Sequence, residues 1–432
     1  MRDRRPVGLL GVLLVACASS PGVTAAQRGD RAALSAYIRP LYDKGGIDNA
    51  EAAKIAKAEL TQELTSSKDK DALDRLRDAL PCVPEVQSVF EDLARNHDAL
   101  GAAAALALYD AGNVSDSRAR EWAHDPMPEW RAVGVSGMVR AEDSETRRLA
   151  LVDPSPEVRR ASMQACGRAN DPRDLDGLFD AARLDPDPMA RNQAVRAIAR
   201  ILTSDPEVAN RLRDLWNGAD DSVREDIASA YASPSIVAHG GAQALRVLVA
   251  SGHGPGVISG AAAITWSPGH YDAETRASAL ALLLRTIESA SRRDRSFALA
   301  VVPTSDAQVV LAITKASEDA ADSDIRVSAL ARLLEVSSAR AAAVTKLIEL
   351  AQPDDSHSAV GARARAALAR AGELKVQAWI EKDLTSEDAS VRLDALSSLA
   401  ALKRPARGVP LLADADARVR TRAACVIIVA SR

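Results

Sequence analysis

The residues of this 432-residue chain that could do chemistry are few, and their spacing suits none of the common sites. His239, His253 and His270 fall between Arg224 and Arg276, in a stretch that also holds Gly240, Gly241, Gly252, Gly254, Gly256, Gly260 and Gly269. Three imidazoles in one stretch are the raw material of a zinc centre. At intervals of 14 and 17 residues they form no H-x-x-x-H or H-E-x-x-H face, however, and no cysteine ligand stands nearby. No G-x-S-x-G accompanies His239-Gly240-Gly241, and the glycines miss the G-x-G-x-x-G spacing of a dinucleotide turn. The expectation is a chain with no catalytic site, no cofactor and no metal, in which His239, His253 and His270 are the candidates a metal would have. Besides Cys17 the chain has Cys82, Cys166 and Cys425, an odd number without C-x-x-C. That pattern predicts buried, apolar roles for Cys166 and Cys425 rather than a disulfide framework, and leaves Cys82 unassigned.

Cys17 has a different chemistry. Arg2, Arg4 and Arg5 precede an apolar run from Val7 to Leu14 that is too short to span a bilayer and reads as a secretory signal. It ends in Leu14-Val15-Ala16-Cys17, which resembles the lipobox of bacterial lipoproteins. The resemblance implies diacylglyceryl transfer to the Cys17 sulfur, cleavage before Cys17 and a membrane anchor. Residues 1–16 are then a signal peptide and 17–30 a flexible tether. The implied address is the bacterial cell envelope, with the outer membrane favoured because Ala18 replaces the Asp that retains lipoproteins at the inner membrane. The alternative is cleavage after Thr24-Ala25-Ala26, which would give a secreted periplasmic protein.

Composition and charge limit what these residues can belong to. Thirteen aromatics, from five Trp, five Tyr and three Phe, cannot fill a thick core, whereas alanine at about one residue in five suits thin layers of close-packed helices. Lys plus Arg number 55 against 59 Asp plus Glu, a net charge of −4 with both signs interspersed, which excludes the basic stripe of a nucleic-acid binder.

The elements announce themselves through arginines. Arg131, Arg159, Arg191, Arg224, Arg276, Arg326, Arg363, Arg392 and Arg420 follow one another at 28, 32, 33, 52, 50, 37, 29 and 28 residues. Six of them have an Asp four residues earlier, namely Asp187, Asp220, Asp272, Asp322, Asp388 and Asp416. Asp there is a favoured helix N-cap and shares a face with the Arg. The residue before the Arg is mostly apolar, and the third after it is small in all but one copy, which makes a helical stripe. A shorter apolar-periodic segment precedes each copy, and Asp-Pro clusters such as Asp153-Pro154-Ser155-Pro156 separate them. The unit is a helical hairpin of roughly 30 residues that buries its stripe only against neighbours. Arg292-Arg293-Asp294-Arg295 reads as a solvated basic corner.

The D-x-x-V-R-x-x-A-x-x-x-L pattern, fullest at Asp388 to Leu399, resembles HEAT repeats, especially the short bacterial kind also found in phycobilin lyase subunits. The resemblance implies an all-α fold, an α-solenoid of stacked antiparallel hairpins forming a HEAT-like superhelix, in which those Asp and Arg residues make a ladder between repeats. It divides the chain into divergent capping repeats over 31–127, HEAT-like repeats over 128–232, a degenerate glycine- and histidine-richer stretch over 233–302 and further HEAT-like repeats over 303–432. A dozen hairpins stacked at about 8 to 10 Å would extend roughly 100 Å. The expected function is a membrane-anchored, non-enzymatic scaffold for a protein partner, without nucleic acid or a small-molecule substrate. The alternatives are an accessory subunit of an enzyme or a self-assembling structural protein of the envelope.

Overall fold

In the computed structural model, which describes residues 19–45, 47–66, 71–202, 205–252, 254, 256–267, 269–319, 321–352 and 359–431, the described residues form helices and turns without a strand. The helices pair as hairpins whose second members are Ala72–Ala79, Ala99–Asp110, Pro128–Gly137, Pro156–Ala169, Pro188–Arg200, Asp221–Tyr231, Val257–Trp266, Arg292–Val301, Ser323–Leu333, Ala359–Arg370, Ala389–Ala401 and Ala417–Ala430. Local chemistry starts them. Proline occupies the first turn in Pro128–Gly137, Pro156–Ala169 and Pro188–Arg200, where its missing N–H costs nothing. Asp98, Asp220, Asp322 and Asp416 accept backbone N–H groups that would otherwise be orphaned.

Each second helix packs against the next one along the chain, while the first helices touch their counterparts less except at Ala273–Ser289 and Ala307–Ala316. The second helices therefore form the inner, more tightly curved layer, and the first helices the outer one. Small buried residues such as Ala165, Ala194, Ala197 and Ala395 permit the close inner spacing. The row does not stay open. Ala417–Ala430, the last inner helix, packs against Ala72–Ala79, the first, and more extensively against Asn49–Ser66. The superhelix closes into a ring, so the roughly 100 Å open array expected from hairpin stacking is corrected. Closure has an apolar cause: Ile55, Leu60, Leu76 and Ala79 from one end and Val419, Ala423 and Ile427 from the other are all buried in one core. In an open solenoid these faces would need polar caps.

Two more helices, Pro21–Gln27 and Arg31–Asp43, cover the seam from outside. Over 19–30, the described part of the expected flexible tether 17–30, the chain is helix and turn instead. Ser20 accepts the Val23 N–H and starts a helix whose Ala25 and Ala26 are buried. Gly22 is there because a side chain would not fit: a Cβ on it would stand 2.5 Å from the Tyr37 ring. Cys17, the expected lipidation site, lies outside the described residues.

The 233–302 stretch folds as two hairpins. The first, Ala242–Ser251 with Val257–Trp266, has Ile258 in the arginine slot. The second, Ala273–Ser289 with Arg292–Val301, has Arg295 there. The 52- and 50-residue gaps of the sequence register thus resolve into steps of 34, 37 and 31 residues, through Ile258 and Arg295. Arg276 belongs to an outer helix and is not an inner-layer anchor. The Asp272 cap and buried Ala279 of that helix mimic the repeat pattern.

Candidate functional site: the inner face and the closing seam

The inner helices are held in register by arginines near their first turns. Arg131 Nε and Nη2 donate to both carboxylate oxygens of Asp153 at 3.0 Å, while its Nη1 donates to the carbonyls of Asp125 and Pro126 at 3.0 and 2.9 Å. Arg159 repeats this with Asp185 at 2.8 and 2.9 Å and the carbonyls of Asp153 and Pro154. Arg392 repeats it with Asp414 at 2.7 and 3.0 Å. Each guanidinium thus ties its own corner to the next hairpin, with the fork geometry that suits a carboxylate. Burial disfavours charge on Asp153 and Asp185, but the bonds from Arg131 and Arg159 and from backbone N–H groups outweigh it and hold both carboxyls below the usual range.

These carboxylates are not the ones the spacing suggested. Asp153, Asp185 and Asp414 stand six residues before the following arginine, whereas the aspartates four residues before it mainly cap helices. Asp187 accepts from Met189 N–H and also from Arg160 at 2.5 Å, Asp388 accepts from Ser390 N–H and Asp416 from Arg418 N–H. Asp220 both caps and bridges, accepting from Val223 N–H and from Arg191 at 2.8 Å. Asp272 caps through Thr275 N–H and meets Arg246 at 3.3 Å; Asp322 caps and meets Arg292 at 2.8 Å. The missed signal was in plain view: Asp-Pro-x-Pro-x-x-Arg recurs at 125–131, 153–159 and 185–191.

Other anchors depart from the rule. Arg224 donates to the Trp216 carbonyl and lies over that indole ring. Arg276 Nε is buried without a hydrogen-bond partner among the described residues. Arg363 is exposed and turns back to Asp324. The buried arginine of its helix is Arg365, which grips Asp383 at 2.5 and 2.8 Å. Arg295, expected in a solvated corner, instead reaches Asp319 at 2.8 Å and the Ile287 carbonyl at 2.9 Å.

At the seam the ladder goes on with different parts. Arg420 Nη1 donates to the carbonyls of Asp414 and Ala415, as the other anchors do with theirs, but the carboxylate it reaches is Glu63, 357 residues away, at 2.7 Å. Glu59, one helical turn from Glu63, is 1% exposed and 3.4 Å from Arg420. Burial first, then the neighbouring Glu63 carboxylate, push Glu59 up to about 7, against the pull of Arg420 and Arg31. Beside this rung Cys82 and Cys425 form a disulfide across 343 residues, both buried. The expected absence of a disulfide framework is corrected. The odd count misled because Cys166 is a separate buried thiol, pushed up to about 12 by burial and then by Asp174. Arg418 adds a pair with Asp78 at 3.1 Å, and Arg407 pairs with Glu381 while donating to the Tyr42 carbonyl.

The candidate metal residues do not converge. His239 Nδ1 lies 2.7 Å from the Ser235 carbonyl, His270 is exposed, and His253 lies outside the described residues. In the turn between them Gly256 has φ of 82° and a Cβ there would approach Ala228 to 2.7 Å, so close packing of neighbouring hairpins explains at least this glycine. The inner face carries an open groove of about 340 Å³ between Ser323–Leu333, Ala359–Arg370 and Ala389–Ala401. Ala331, Ala366 and Ser397 line it, together with Arg363 and Arg370, two turns apart on the middle helix, and Asp394 on the last.

A ladder of this kind on paired helices has a counterpart among known families: the model for HEAT repeats matches residues 142–232. Those residues are similar to HEAT repeats. The matched HEAT stretch includes the rungs from Arg159 and Arg191 and the buried pair of Arg147 with Asp174 at 2.8 Å. None of the curated proteins matches the chain. Among solved structures, the complex of CpcE and CpcF of phycocyanin lyase from Nostoc sp. PCC7120 is similar at 16% identity, covering 55% of this chain and 95% of that chain with a TM-score of 0.33. An engineered protein is similar at 19% identity, covering 86% of this chain and 98% of that chain with a TM-score of 0.25.

Proposed function

We propose that this HEAT-repeat ring is a lipid-anchored scaffold of the bacterial cell envelope that binds a protein partner on its inner face and catalyses no reaction itself. The observation that carries the reading is the continuous inner layer, where second helices from every hairpin present side chains to one enclosed surface and offer a partner many modest contacts. The groove flanked by Arg363 and Arg370 is the place on that surface where an acidic segment of the partner would seat.

Two features support the exported, anchored part. A buried disulfide between Cys82 and Cys425 fits an oxidising compartment. Cleavage after Ala26 would remove Gly22, Ala25 and Ala26 from the packed seam, whereas cleavage before Cys17 keeps them. Two experiments test the parts separately. Fatty-acid labelling should disappear in Cys17→Ala; labelling that persists rules out this anchor. A photo-crosslinking residue at Arg370 should give a discrete adduct in intact envelopes, and one at the outer residue Leu311 should not. Equal adducts from both positions, or a serine- or metallo-hydrolase activity probe that labels the chain, would overturn the scaffold reading.

A further inference from the structure

We infer that one rim of the ring, the one carrying the connections from each inner helix to the next outer helix, is a membrane-contacting surface that lies against the lipid headgroups. The inference deepens the anchored reading above and rests on it for orientation. Its first support is where the chain enters. Pro21–Gln27 lies along Asn49–Ser66 in the same direction: a Cβ on Gly22 would stand 3.0 Å from Ile55, in the first half of that outer helix, and one on Gly29 would stand 2.6 Å from Gln62, near its end. Outer helices begin at the rim in question, so the backbone leaving Ser19 toward Cys17 leaves from that rim. A lipid two residues before Ser19 permits little separation: at roughly 3.5 Å per residue, this rim cannot stand far from the bilayer.

The second support is the distribution of exposed apolar side chains. Leu80, Leu202, Trp266 and Leu374 are 44, 61, 59 and 54% exposed, and each occupies a different inner-to-outer connection. They come from four separate hairpins around the ring, so they can meet a plane together, but they cannot form one compact pocket for a protein. Trp266 is held in place: its indole N–H donates to the Val301 carbonyl at 2.6 Å, which leaves an oriented ring at the rim. Indoles with one satisfied polar atom and an apolar face are the side chains that favour the headgroup region. The opposite rim differs. Its exposed apolar residues, Leu149, Val152, Leu184 and Met189, bunch in two adjacent corners, the arrangement a compact partner would cover.

The test uses the full chain carrying Cys17→Ala, which has no lipid, with vesicles of phosphatidylethanolamine and phosphatidylglycerol. Brominated acyl chains should quench Trp266, identified by comparison with Trp266→Phe. The variant Leu202→Ser, Trp266→Ser, Leu374→Ser should lose at least tenfold in vesicle partitioning with unchanged helical circular dichroism. Quenching and partitioning that persist in this variant, or no quenching of Trp266 either in the lipid-free chain or in lipidated protein reconstituted in the same vesicles, would overturn the inference. So would a variant of Leu149, Val152, Leu184 and Met189 to serine that loses binding instead. Failure of fatty-acid labelling with vesicle binding intact would sink the anchor and leave the rim standing. Labelling intact with Trp266 unquenched would do the reverse.

Discussion

The arc from Arg131 to Asp220 and the seam at Arg420 perform one task, holding an inner helix to its neighbour, but they draw on opposite kinds of sequence information. In the arc, the guanidinium and its carboxylate come from consecutive hairpins, 22 residues apart at Arg131 and Asp153 and 26 at Arg159 and Asp185. At the seam, Glu63 stands in for the corner aspartate and a disulfide accompanies the rung. Local rungs are redundant, since each hairpin has two neighbours and stability is close to a sum over interfaces. The seam is the one interface whose two sides are far apart in the chain, so its loss converts a ring into an open solenoid.

The largest effect that would sharpen this contrast is therefore reduction. Closing a loop of 343 residues removes about 6 kcal/mol of chain entropy from the unfolded state in the entropic account. The Cys82→Ser, Cys425→Ser variant should unfold at lower denaturant, and solution scattering should show a larger radius of gyration than for the oxidised ring. Identical scattering profiles would mean that apolar packing alone keeps the ring shut. Next comes the rung itself. Arg420→Ala removes the guanidinium that faces Glu59 and Glu63 in this buried rung and should cost about 3 to 5 kcal/mol. Arg159→Ala, in a redundant arc whose hairpins each keep a second neighbour, should cost less; equal unfolding midpoints would erase the distinction between arc and seam.

A pH titration comes third. Glu59 is raised in the folded state, so the folded protein binds more protons than the unfolded one between the ordinary carboxyl range and about 7. Its contribution is fully present below the unfolded pKa and is lost as pH rises through about 7, an amount on the order of 3 kcal/mol at most. Glu59→Gln should flatten that part of the stability profile, and a variant with the same slope as wild type would assign the titration elsewhere. Smallest is the removal of a cap. Asp388→Ala should cost about 1 kcal/mol, and Asp185→Ala should cost more because Asp185 is the bridge that Arg159 reaches.

Local chemistry was legible in the sequence where the interacting groups lie within one repeat length. Arg131, Arg159, Arg191 and Arg392 could be located from spacing alone, as could the first and second helices of the 303–432 stretch. Asp153, Asp185 and Asp414 were missed by two residues, whereas Asp220 bridges from the expected position, because a capping Asp and a bridging Asp share the same short corner and only three dimensions tell which one faces the next hairpin. Arg276 was misplaced for a related reason: a capped outer helix with a small buried residue satisfies the same pattern as an inner one. The seam gave no such signal. Glu59 and Glu63 lie on a helix without an anchor arginine, and nothing local to Cys82 points to a cysteine 343 residues on.

The covalent link at the seam also decides where a pulling force would travel. Tension applied between the N-terminal end and the C-terminal end of this chain passes from Cys82 to Cys425 through sulfur and bypasses every hairpin between them. A contour of on the order of 1,200 Å, at roughly 3.5 Å per residue, is shielded from load while the bond is intact. Cleaving that one bond would turn a short, stiff connector into a long, extensible one.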